Sequence, residues 1–122
     1  MGGNGFFDMV MLYKIATSAQ WRAAEALGRF DGAPVDLADG YIHFSDAGTV
    51  RETAAKHFAG QSDLVLAAVD EAKLGPALKW EISRGNALFP HLYAPLPLDK
   101  VAWVRRLALG DDGVHVFPAE LP

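Results

Sequence analysis

Leu64 to Val69 is an unbroken apolar run, LVLAAV, with Ser62-Asp63 before it and Asp70-Glu71 after it. So short a run between polar flanks suits a strand better than a helix. A strand without polar alternation has no face to give to water. The run therefore predicts a central strand, packed against from above and below, and the rest of the chain has to supply both covers.

The segments around it supply them in an informative order. Val10 to Ala16 predicts a first strand. Thr17 followed by Gln20 forms a capping box, opening a helix that Gly28 ends near Leu27. Trp21, Ala24 and Leu27 share one side of it. Phe30 to Gly40 reads as a loop punctuated by Gly32, Pro34 and Gly40. Tyr41 to Phe44 predicts a short strand, with Tyr41 and His43 on one face and Ile42 and Phe44 on the other. Ser45 suits an N-cap and Asp46 the positive end of a second helix running to about Phe58. Leu78 to Ile82 alternates, with Leu78, Trp80 and Ile82 opposite Lys79 and Glu81. Gly85 to Pro97 reads as irregular. Val101 to Leu109 alternates, with Val101, Trp103 and Leu107 on one face. Gly110-Asp111-Asp112-Gly113 signals a hairpin into Val114 to Phe117. No helix separates the later strands, so a doubly wound parallel sheet is excluded. The expected fold is α+β: a mostly antiparallel sheet, whole or split, of about six strands with two helices.

At 122 residues and 51% hydrophobic content the chain holds one domain with a real core. Residues 1–9 are expected to be a flexible tail and 10–122 the domain. There is no cysteine, so a disulfide scaffold, a thiolate metal site and a cysteine nucleophile are excluded. This composition suits the cytoplasm. A net charge of −4 argues against a generic nucleic-acid coat. No apolar run approaches a membrane span. The small-molecule ligand is then the partner class to expect.

Two segments carry function-capable residues. In Gly40-Tyr41-Ile42-His43-Phe44-Ser45 a histidine ends a strand just before an expected helix N-terminus, which favours an anion. His43 there can donate to a hydroxyl or phosphate, or move a proton. The structural alternative is that Ser45 only caps the helix and His43 packs under a loop. In Phe89-Pro90-His91-Leu92-Tyr93 a rigid aromatic segment carries a polar tip. Its structural alternative is an aromatic plug at one end of the core. Glu81, facing away from Trp80 and Ile82, completes an acid/base set if it meets His43 and His91; otherwise it is a solvated residue paired with Lys79 or Arg84. No two histidines have the spacing of a local metal pair, so no metal site is expected. His57 suits a helix C-terminus, His115 a strand surface, and Arg105-Arg106 solvent.

Leu12-Tyr13-Lys14-Ile15, Trp21, the 40–45 segment, Asp63-Leu64-Val65-Leu66, Trp80-Glu81 and Phe89-Pro90-His91-Leu92-Tyr93 occur in an order that resembles the DUF952 family. The resemblance spans about residues 11 to 117. The family is in turn distantly similar to the ADP-ribosyltransferase-like fold, which includes RNA 2′-phosphotransferases. His43-Phe44-Ser45 matches the later His–apolar–Ser pattern of those enzymes. Lys14 stands where their NAD-contacting histidine would be, and the glycine that follows it is absent. The resemblance implies an ADP-ribosylation-like fold, a nucleotide or other phosphorylated ribose-bearing ligand of the NAD or ADP-ribose type, and NAD as cofactor. Transferase chemistry would then fall to His43, Glu81 and His91, with Lys14, Tyr41, Ser45 and Tyr93 as ligand contacts. The alternative is a non-enzymatic binding module that keeps the fold without catalysis.

Overall fold

A computed structural model describes residues 10–122; the tail expected at 1–9 lies outside the described residues. In chain order the elements are β1 (Met11–Thr17), α1 (Ser18–Leu27), β2 (Arg29–Phe30), α2 (Pro34–Asp39), β3 (Ile42–His43), α3 (Val50–His57), β4 (Leu64–Asp70), β5 (Leu78–Ile82), β6 (Leu88–Leu92), β7 (Leu96–Pro97), β8 (Val101–Leu109) and β9 (His115–Val116). The fold is α+β with antiparallel pairing, as expected, but the described residues form nine strands and three helices rather than about six and two.

The expected central strand is central. β4 lies between β1 and β8 in a four-stranded sheet of order β1-β4-β8-β9. Its residues divide between two cores. Ala67 and Val69 face Leu12, Ala16, Trp21, Ala24, Phe30, Phe44 and Leu92. Leu64, Leu66 and Ala68 face Tyr13, Ile15, Leu107 and the α3 residues Val50 and Ala54. A three-stranded sheet, β3-β6-β5, and a short β2-β7 pair complete the architecture. No helix among the described residues is long and apolar enough to cross a membrane.

Several expectations need correction. The Thr17/Gln20 capping box is present, but Leu27 is exposed at the end of α1 and does not join Trp21 and Ala24 in the core. The segment read as a loop contains α2, started by Pro34 and stopped by Gly40 in the left-handed conformation. The helix expected after Ser45 is α3, and it starts at Val50. Ser45 is held extended because its backbone exchanges two hydrogen bonds with Tyr13, at 2.8 and 2.9 Å. Asp46 then accepts from the Thr49 backbone and hydroxyl and turns the chain into α3.

The segment read as irregular contains β6 and β7. Proline is tolerated inside β6 because of the direction it faces. The Pro90 carbonyl accepts from Phe44 N–H at 3.0 Å. The missing Pro90 N–H would point to that same side, so the ladder with β5 loses nothing. In β8 a bulge opposite Ala68/Val69 skips Ala102, so Val101 packs in the first core while Trp103 and Leu107 pack in the second. His115 is buried, its Nε2 2.8 Å from the Gln61 carbonyl, rather than on the strand surface. Arg105 and Arg106 are exposed.

Candidate functional site

β3 and β6 pair with His43 directly opposite His91, and β6 pairs with β5 so that the Glu81 region adjoins them. Backbone register thus brings together three residues far apart in the chain. Their ring centroids are 5.5 Å apart for the two histidines, in an edge arrangement. Tyr41 stacks on His91 at 4.1 Å and tilts against His43 at 4.6 Å.

The two histidines are held in different ways. His91 Nδ1 lies 2.8 Å from Glu81 Oε1, and the Tyr93 hydroxyl donates to that same oxygen at 2.7 Å. Nε2 of His91 has no hydrogen-bond partner among the described residues, although the side chain is only 4% exposed. Those bonds from Tyr93 and His91 hold the Glu81 carboxyl below the usual carboxylate range. Glu81 in turn pushes the Tyr93 hydroxyl up to about 12. Glu81 does not take the lysine pairing considered for it; its side-chain partners are His91 and Tyr93.

His43 has no free ring nitrogen. Nδ1 lies 2.6 Å from Asp36 Oδ1 and Nε2 lies 2.9 Å from Asp39 Oδ2. Asp36 is 1% exposed and ties four segments together. It accepts from Ala33 N–H at 2.8 Å, from His43 N–H at 3.1 Å and from Lys14 Nζ at 2.9–3.0 Å. Lys14 also donates to the His43 carbonyl at 3.0 Å. Burial works to raise the Asp36 carboxyl, but the His43 bond and the Lys14 charge outweigh it and bring it down to about 2. Burial also draws the Lys14 ammonium down, against the pull of Asp36.

Sequence reasoning missed Asp36 and Asp39. The signal was present: Pro34 at a first helical position and Gly40 just past the end bracket one short helix. That helix places Asp39 four residues before His43.

A groove of about 720 Å³ runs along β1, past α2 and α3, to His43 and His91. Lys14 and Ser45 line it, though both are buried, and Ser45 Oγ is 2.8 Å from Thr53 Oγ1. Tyr41 and Tyr93 border a second, smaller hollow of about 250 Å³. The anion site expected at a helix N-terminus after Ser45 is not formed, because α3 begins at Val50. Among the described residues no three histidine or carboxylate side chains are grouped to hold a metal ion.

Residues 15–104 match the model of the family described as protein of unknown function (DUF952). The chain belongs to the DUF952 family. It is also similar to the crystal structure of protein CC0527 from Caulobacter crescentus, with 52% identity and a TM-score of 0.87 over 91% of this chain and 97% of that one. The solution structure of CC0527 matches with 55% identity and a TM-score of 0.78, over 85% and 90%. No curated protein matches. The family match covers His43, Glu81 and His91, and also the overlooked Asp36 and Asp39.

Proposed function

We propose that this DUF952 domain binds a nucleotide or a related phosphorylated, ribose-bearing molecule of the NAD or ADP-ribose type, and that His91 moves a proton at a ribose centre of it. The carrying observation is the state of His91: Nδ1 is fixed by Glu81, while Nε2 is sheltered from water and unpartnered in a residue that lines the groove. A carboxylate behind an imidazole fixes the tautomer and stabilises the cation formed when the other nitrogen takes a proton. With an NAD-type ligand, a water or hydroxyl oxygen would bond to the ribose anomeric carbon as the bond from that carbon to the nicotinamide nitrogen breaks and neutral nicotinamide leaves. His91 Nε2 would take the proton of the attacking group, and Glu81 would balance the charge of the imidazolium. The half-exposed Asp39 carboxylate offers an acceptor for a second ligand hydroxyl.

His43 then has a positioning part, since both its nitrogens are engaged. Tyr41 packs on both imidazoles. NAD as the cofactor, an ADP-ribosylation-like fold and a cytoplasmic setting belong to the same reading. They rest on the pattern His43-Phe44-Ser45 and on the cysteine-free composition.

Titrating NAD, ADP-ribose and a 2′-phosphorylated dinucleotide while following backbone amide shifts tests the reading. Shifts at residues 41–47 and 91 are expected, and His91→Gln should abolish any turnover. Unmoved amides at millimolar ligand would overturn it. Binding that survives with no turnover in any assay of the three compounds leaves the non-enzymatic module as the function.

A further inference from the structure

The groove has a second feature, on β1 rather than at the histidines. β1 is the edge strand of its sheet. In an antiparallel pair the N–H and C=O of one residue point to the same side, and successive residues alternate. Tyr13 sends both groups to Ser45, away from β4. Ser18 N–H turns the other way, to Asp63 at the start of β4. The parity is therefore fixed: Leu12, Lys14 and Ala16 bond β4, while Tyr13, Ile15 and Thr17 face outward.

Two of those three outward positions are occupied. Ser45 takes both groups of Tyr13, and the Gln20 side chain takes Thr17 N–H at 3.0 Å. Ile15 has neither. Its N–H and C=O have no hydrogen-bond partner among the described residues, although the residue is 5% exposed and lines the groove. Backbone groups this sheltered are nearly always paired. The groove lining is mixed: Pro34 and Val35 from α2 and Phe58 at the end of α3 are apolar, and Gln20, His57 and Gln61 are polar.

We propose that this stretch of the groove takes a short extended peptide segment, one residue of which exchanges both backbone hydrogen bonds with Ile15. A donor and an acceptor on one strand edge are matched by another extended backbone, which is the chemistry of strand addition. The occupied positions on either side set its extent. The next hydrogen-bonding positions in the same register fall at Tyr13 and Thr17, so a single residue is read by its backbone. Apolar side chains flanking it meet Val35 and Phe58. This inference does not depend on what the histidine end of the groove binds.

The wild-type chain, labelled with ¹⁵N, is titrated to millimolar total concentration with a mixture of acetylated, amidated tetrapeptides randomised over apolar residues. The expected result is a downfield shift of the Ile15 amide and slowed exchange of its proton, with Lys14 and Ala16 moving little. A matched mixture N-methylated at the central amides should bind about tenfold more weakly, the loss expected for one hydrogen bond. His91→Gln should leave the Ile15 response intact, so this proposal and the ribose-ligand reading fail separately. Three results overturn it: no change at Ile15, equal response to the methylated mixture, or a response at Ile15 to ADP-ribose and none to peptides.

Discussion

Asp36 organises this site more than any residue chosen for its chemistry. Its carboxylate is buried and receives the Lys14 ammonium, two backbone N–H groups and a ring nitrogen of His43. A buried ion pair adds little net stability over apolar groups of the same shape, but removing one partner strands the other charge. Asp36→Asn should therefore cost about 3–5 kcal/mol by urea unfolding at neutral pH. An unchanged midpoint would show that Lys14 finds another partner. The pH dependence has a definite sign. The folded carboxyl sits at about 2 against an ordinary 3.8, so its contribution is complete above about 4 and fades as pH falls towards 2. That window is worth about 2 kcal/mol, and the wild-type curve should lose that advantage over Asp36→Asn as the solution is acidified through it. The three residues singled out from the sequence do converge, but the one that orders His43 was not among them. An aspartate in a stretch full of Gly and Pro looks like any solvated loop residue. Only its position opposite Lys14 makes it a buried anchor.

At the scale of elements, local signals were readable wherever the chain answers to itself. The Thr17/Gln20 box forms with both bonds at 3.0 Å and Gly28 closes α1 in the left-handed conformation. Thr17→Ala should lower stability by about 1 kcal/mol, seen as a reduced melting temperature with an unchanged native spectrum. A neutral outcome would mean that packing of Trp21 holds the helix start unaided. Elements went wrong where a distant strand intervened. Ser45 has the chemistry of an N-cap, yet Tyr13 claims its backbone and α3 starts later. The Pro90 segment has the composition of a loop, yet its carbonyl faces the β3 side, so its missing donor takes nothing from the β5 ladder. His115 has the neighbours of a surface residue, yet the Gln61 carbonyl draws it inward.

Across the whole molecule, two cores are built on opposite faces of one sheet, and β4 belongs to both. That strand has paired neighbours on each edge and cover on each face. Its amides should be the last to exchange with deuterium, under conditions where β9 and the β5–β6 sheet have already exchanged. Early exchange of Leu66 and Ala68 would contradict the two-core arrangement. The same experiment reads β1, where Lys14 and Ala16 should be protected and Ile15 should exchange before either of them. The sequence by itself determined the central strand, the first helix with its caps, and the antiparallel α+β class. Those follow from apolar periodicity and from hydrogen bonds between residues a few positions apart. Tertiary structure alone decided that Glu81 holds His91, that Asp36 and Asp39 occupy both nitrogens of His43, and that Ile15 keeps an unpaired edge. Each of these depends on which strands lie side by side and in what register, and that is a property of packing between segments that no local pattern encodes.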